Sequence, residues 1–264
     1  MSDKTVILET DDRGVASLTL NRPDIHNAFD DVLIGHMLKA LETVDADPEI
    51  RVLVLRSEGR SFSAGADLNW MRRMAGYDRE ENHKDAMQLA ALMAKLNRLN
   101  KPTIARVQGA ALGGGVGLVS CCDMAVGSEK AIFALTEVRL GLLPAVISPY
   151  VIAAIGERAA RRYILTGERF DAAEAQRIGL LHQVLAENQL DDALNSLLEN
   201  LLKGGPRALT AAKSLIFAVS RQPTTEAVIA DTADRITNIR ASDEGGEGVT
   251  AFLEKRSPAW IGQR

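Results

Sequence analysis

Three consecutive glycines, Gly113, Gly114 and Gly115, separate an apolar strand-like run ending at Leu112 from an apolar helix-like run beginning at Val116. Backbone without Cβ atoms can turn sharply and lie close to another segment or to a ligand. Any fold open to this chain must therefore bring a strand end and a helix start together here, at close quarters with something else. Upstream lies a second run of small residues, Phe62-Ser63-Ala64-Gly65-Ala66-Asp67. Two such segments can direct two backbone N–H groups at one oxygen atom, which is the physical requirement for holding an oxyanion.

A glycine-rich turn between a strand and a helix also suggests nucleotide binding, but the pattern is wrong for it. Counting from Gly113, the dinucleotide fingerprint would need glycine or alanine where Leu118 stands, and no Lys-Ser/Thr pair follows to make a phosphate loop. A net charge of −4 without a basic stripe argues against a nucleic-acid partner. The first residues, Met1-Ser2-Asp3-Lys4, lack the charged-then-apolar pattern of a signal peptide, and no apolar run reaches the ~18 residues that span a bilayer. The expected setting is cytoplasmic. The four histidines show no metal-ligand spacing, so no metal site is expected. Cys121 and Cys122 are adjacent within an apolar stretch and read as buried thiols.

Hydrophobic periodicity and breakers divide the chain into an α/β portion and a helical portion. Residues 6–9 and 15–20 flank Asp11-Asp12-Arg13-Gly14 and predict a hairpin. Asp30 reads as the cap of a helix that Asp47-Pro48 ends, and 51–56 as a buried strand. Helices over 68–74 and 80–99, a strand over 103–107, the glycine turn with its helix to Cys122, and strands over 124–126 and 132–135 follow. Beyond about 145 the strand signals fade. Helices are expected over 147–155, 157–165, 172–177, 189–202, 206–217, 226–239 and 247–255. Alternation of strands with helices predicts some parallel pairing.

The residues of four blocks resemble the enoyl-CoA hydratase/isomerase (crotonase) superfamily. They are Ser61 through Leu68, Val107 through Gly115, Cys122-Asp123-Met124-Ala125 and Phe133 through Gly141, in order and at family spacing. Asn21-Arg22-Pro23 near one end and Ala251 through Arg256 near the other also fit, so the resemblance spans the chain. It implies a spiral of strand–strand–helix turns over 1–195 and a C-terminal helical trimerisation region over 196–264. It also implies an assembly of three chains, or of six as a dimer of trimers.

The resemblance implies chemistry as well: stabilisation of a thioester enolate, with coenzyme A part of the substrate and no separate cofactor. The backbone N–H groups of Ala66 and Gly114 would form the oxyanion hole, each worth on the order of 10²–10³ in rate. Ile25, His26, Ala64, Ala66, Asp67, Leu68, Gly114 and Gly117 match substrate and coenzyme A positions, and Lys255 or Arg256 would meet the coenzyme A phosphates. Asp67 also suits the cap of the following helix. Hydratases of the family carry two glutamates. Here one is present as Glu137, and the other position is Gly117. Apolar Leu135, Val138, Leu140 and Leu142 would desolvate Glu137 and raise its pKa.

One carboxylate is compatible with a hydratase using Glu137 for both proton steps, with an isomerase, and with a protein that only binds acyl-CoA. Asp67 through Met71 and Gly141 through Tyr150 look like a bacterial subgroup that includes methylglutaconyl-CoA and carboxygeranoyl-CoA hydratases. Gly117 would then leave room for a 3-branched acyl group, with Arg72, Arg73 or Arg139 as partners for its distal carboxylate.

Overall fold

Three successive turns of the chain, between residues 52 and 166, each give one strand to each of two sheets before a helix closes them. The protein is described by a computed structural model over residues 5–262, so the Met1–Lys4 segment read above lies outside the described residues. The hairpin forms as expected from β1 (Val6–Thr10) and β2 (Val15–Leu20). Asp11 closes its turn by accepting the backbone N–H groups of Arg13 and Val15. Helix α1 (Asp31–Ala46) is capped by the Asp30 side chain, which accepts from the Leu33 N–H. β3 (Val52–Ser57) then pairs parallel to β2.

The next strands alternate between sheets. β4 (Ser61–Ser63), β6 (Ala110–Leu112), β8 (Ile132–Ala134) and β9 (Arg169–Asp171) form a small sheet in that order. β5 (Thr103–Val107), β7 (Met124–Ser128) and β10 (Gln183–Leu185) extend the large sheet, whose order is β1-β2-β3-β5-β7-β10. In the small sheet β4, β6 and β8 run parallel and β9 antiparallel. All four strands of the small sheet, and β10 at the edge of the large one, are three residues long. Three residues carry too little alternation to announce a strand, which is why the sequence reading passed over β4, β9 and β10.

Helices α2 (Leu68–Met74), α3 (Arg79–Asn97) and α4 (Gly114–Cys121) match the expected spans. α5 (Ser148–Thr166) is continuous except for a kink at Gly156, whose φ of 75° falls where two helices were expected to meet. After α6 (Ala172–Arg177), α7 (Leu190–Lys203) buries Leu190, Leu194 and Leu198, the last two packing with Val52, Val54 and Ile104 of the large sheet. The expected division at 195/196 thus falls inside a helix that still belongs to the core. α8 (Pro206–Val219) and α9 (Glu226–Arg240) have no buried residue, and α10 (Asp243–Leu253) buries only Ala251. α10 begins four residues before its expected start because Ser242 caps it, accepting from the Gly245 N–H. The glycines in Asp243–Gly248 hid that start. Lys213 of α8 ties this region to the core: its ammonium sits 2.8 Å from Asp123, which also accepts the Thr103 N–H and hydroxyl.

Candidate active site

The functional segments converge because each follows a strand of the small sheet. Ala66 lies just past β4, Gly114 just past β6 and Glu137 just past β8. Neighbouring parallel strands are about 4.8 Å apart, so residues at their carboxyl ends form a contiguous edge. Contacts between the loops confirm the proximity. A Cβ built on Gly65 would stand 3.2 Å from the Leu112 carbonyl, and one on Gly115 would stand 2.9 Å from the Ser63 carbonyl. The approach at Gly115 leaves no room for a side chain, and that at Gly65 is tight.

Phe29 places both expected donors. Its backbone forms a parallel bridge with Ala66: the Phe29 N–H donates to the Gly65 carbonyl, and the Phe29 carbonyl accepts from the Asp67 N–H, both at 2.7 Å. That pairing turns the N–H of the intervening Ala66 away from Phe29. The Phe29 ring lies beneath α4, with Cε2 3.3 Å from where a Gly114 Cβ would stand. Gly114 is the first residue of α4, so its N–H has no intrahelical acceptor and sits at the positive end of the helix dipole. Phe29 is only 2% exposed. The sequence reading missed it, because an aromatic residue in a loop before a capped helix gives no sign of what its ring will support.

Asn27 was missed for a similar reason. It is fully buried, donates to the Glu58 and Ser61 carbonyls, and accepts the Arg22 N–H. Ser63 donates its hydroxyl to the Asn27 carbonyl. These bonds staple the Arg22–Asn27 loop to β4. The Ala64 N–H donates to the His26 carbonyl, so the two expected substrate segments lie side by side. Along residues 63–68 burial alternates, with Ser63, Gly65 and Asp67 inward, Ala64 partly accessible and Ala66 and Leu68 outward. Ile25 is exposed on the same loop as His26, whose ring nitrogens contact the Ser61 hydroxyl and the Arg60 guanidinium. Asp67 serves as the cap of α2, accepting the Asn69 and Trp70 N–H groups at 2.8 and 3.0 Å.

Glu137 opens a short 3₁₀ turn, Glu137–Leu140. Its Oε1 lies 3.0 Å from where a Gly113 Cβ would stand, and Gly113 has a φ of 51°. Glycine is thus required there both for the backbone turn and for the carboxylate beside it. Among the described residues, the buried Oε2 has no hydrogen-bond partner. Burial holds this carboxyl above the usual carboxylate range, against an opposing hydrogen bond from its own backbone N–H. The apolar surround differs from expectation. Leu135 is fully buried, but Leu140 and Leu142 are 61% and 54% exposed, so they do not desolvate the carboxyl. The arrangement offers two backbone donors and one poorly solvated carboxylate, a combination suited to moving a proton next to a developing oxyanion.

Other expected residues stand apart or are occupied. Arg73 pairs with Asp31, and Arg72 donates to the Asn69 amide oxygen at 2.7 Å. Arg139 lies along Gly167, its Nε 3.1 Å from that residue's Cβ position. Lys255 follows α10, which packs on α8 and α9, whereas Arg256 is held by Glu247 and Glu254. Gly117 is buried against Ile147. Both cysteine thiols are pushed up by burial, as their apolar stretch implied. Two clefts, about 700 Å³ lined by Arg13 and Asp191 and about 740 Å³ lined by Arg161 and Tyr163, contain none of these groups.

Residues 10–263 match the family model described as enoyl-CoA hydratase/isomerase. A crystal structure of an enoyl-CoA hydratase from Shewanella pealeana ATCC 700345 is 46% identical, with a TM-score of 0.95, covering 97% of this chain and 96% of that one. Pseudomonas aeruginosa AtuE is 36% identical with a TM-score of 0.93, covering 98% and 100%. The 2,3-dehydroadipyl-CoA hydratase of Escherichia coli K12 is 35% identical over 250 residues, 94% of this chain and 96% of that protein.

Proposed function

The chain belongs to the enoyl-CoA hydratase/isomerase family, and on that premise we propose that it adds water across the 2,3 double bond of an enoyl-CoA, using Glu137 for both proton steps. The thioester oxygen accepts hydrogen bonds from the Ala66 and Gly114 N–H groups. Glu137 takes a proton from water as the hydroxyl adds to C3, and the π electrons move to the thioester as an enolate. The protonated Glu137 then delivers that proton to C2. One carboxylate suffices because both additions occur on one face. The observation that carries this reading is the Glu137 carboxyl, desolvated and with one oxygen unpartnered, beside the glycine that precedes Gly114.

A branched substrate with a distal carboxylate, such as 3-methylglutaconyl-CoA, is supported by the subgroup-like loops, and its distal carboxylate also by a relative named for dehydroadipyl-CoA, an unbranched dicarboxylic thioester. A homotrimer or dimer of trimers is supported by α8–α10, which expose Ile216, Ile229, Ile236, Val249 and Phe252. In that assembly Lys255 would meet the coenzyme A phosphates of a neighbouring chain. No helix among the described residues is long and apolar enough to cross a membrane, and a cytoplasmic location is proposed with the reaction.

Incubation with 3-methylglutaconyl-CoA and with crotonyl-CoA, followed by the conjugated enoyl absorbance, tests the activity. Loss of absorbance with one water added is expected. Migration of the double bond in a 3-enoyl-CoA without water uptake would instead identify an isomerase, and tight binding without turnover a binding protein.

A further inference from the structure

The space beside Gly117 is not empty. A Cβ at this position would stand 2.3 Å from Ile147 Cγ2, 2.9 Å from Ile147 Cβ and 3.3 Å from Met93 Cε. Real Cβ atoms do not approach other carbons so closely, so Ile147 already occupies the volume that any side chain at 117 would need. Ile147 and Met93 are 3% and 0% exposed, and the plug is well packed. The branched Ile147 side chain is also stiff, so it cannot swing aside cheaply.

Both ends of this contact are tied to the reacting groups. Gly117 lies three residues, about one helical turn, beyond Gly114 on α4, and its N–H donates to the Gly113 carbonyl. Ile147 caps the start of α5, at the end of the loop that leaves the Glu137 turn, and that loop is fixed by the Leu142 N–H donating to the Glu137 carbonyl. Ile147 therefore fastens the Glu137 segment to the helix whose first N–H holds the thioester oxygen.

We propose that Gly117 and Ile147 are one unit, and that Ile147 is a specificity-determining residue. Seated in the Gly117 notch, it keeps the site to a single carboxylate and presents an apolar wall to a substituent at C3 of the acyl chain. The proposal rests on the acyl-CoA reading above. It corrects a simpler expectation for Gly117: the missing side chain does not leave open room but admits Ile147. A glutamate introduced at 117 alone would collide with that residue, and only with Ile147 shortened could it reach the acyl group.

The test compares Gly117→Glu, Ile147→Gly and the double variant with the wild type. Readouts are the Tm of each protein and the ratio of affinities for 3-methylglutaryl-CoA and butyryl-CoA. These saturated ligands do not react, so the result does not depend on turnover. Gly117→Glu should lose several degrees in Tm and weaken both ligands, and adding Ile147→Gly should recover most of the loss. The double variant should lose preference for the branched ligand at least tenfold, and Ile147→Gly alone, lacking the apolar wall, should lose part of it. Additive changes in Tm, or a wild-type affinity ratio in the double variant, would overturn the proposal. Should the larger changes prevent folding, Gly117→Ala and Ile147→Ala supply the same cycle: the alanine at 117 should destabilise the Ile147→Ala background less than the wild type, because Cγ2 at 2.3 Å is gone while the Cβ at 2.9 Å remains. If the wild type hydrates neither enoyl-CoA while the cycles behave as expected, the hydratase reading fails and this one stands.

Discussion

Replacing Glu137 by glutamine should lower turnover and change the pH dependence of stability in a direction the structure fixes. The side chain keeps its shape, so Gly113 still faces an oxygen or nitrogen at the same distance, but the group can no longer take a proton. Loss of a positioned acid/base costs about 10²–10⁴ in rate, and because the same group serves both steps no second carboxylate compensates. Binding of butyryl-CoA should change little, since the Ala66 and Gly114 donors are untouched. For stability, burial raises this carboxyl in the folded protein above its ordinary value of 4.5. The folded state therefore holds the proton more tightly than the unfolded chain. The contribution of Glu137 to stability is fully present below that value, and it is lost as pH rises through the raised one. The slope within that window is at most about 1.4 kcal/mol per pH unit. An amide carries a constant penalty for its unpartnered N–H, but no pH dependence. The Tm of the variant minus that of the wild type should therefore increase from acidic to neutral pH. Calorimetry across that range, with enoyl absorbance for turnover, reads both effects. Turnover within a fewfold of wild type, or a Tm difference that is flat or falls with pH, would refute the assigned role and its desolvated setting.

Phe29→Ala should remove the floor under Gly114 and loosen the bridge to Ala66. Losing a buried phenylalanine costs about 3–5 kcal/mol, and kcat should fall more than in a comparably destabilised core variant such as Leu41→Ala. Asp67→Ala should cost about 1 kcal/mol as a lost helix cap and leave kcat within about tenfold; the loss expected for a catalytic acid/base would reveal a chemical role. Phe252→Asp on the exposed face of α10 should shift the sedimentation coefficient toward the single chain, and an unchanged value would remove that face from the assembly.

Local sequence determined much of this protein. Asp30, Pro48 and Pro102 mark helix and strand ends, and the split of one long helix at Gly156 was legible because glycine interrupts the apolar pattern. The Gly113–Gly115 turn and Glu137 were visible as well, since both sit in short motifs whose residue types admit few uses. What the tertiary structure decided were relations between residues far apart in the chain. Three strands of three residues each become neighbours only when the spiral closes, and this alone sets Ala66, Gly114 and Glu137 along one edge. Phe29 and Asn27 matter through what they touch across the fold, which no local pattern encodes. Leu140 and Leu142 are apolar yet exposed, the first at the end of a 3₁₀ turn and the second just past the Gly141 that closes it. The glycine at 117 shows the difference most clearly. Its sequence states that a side chain is missing, but a buried volume is shared, and only the packing of α5 against α4 reveals that Ile147 has filled it.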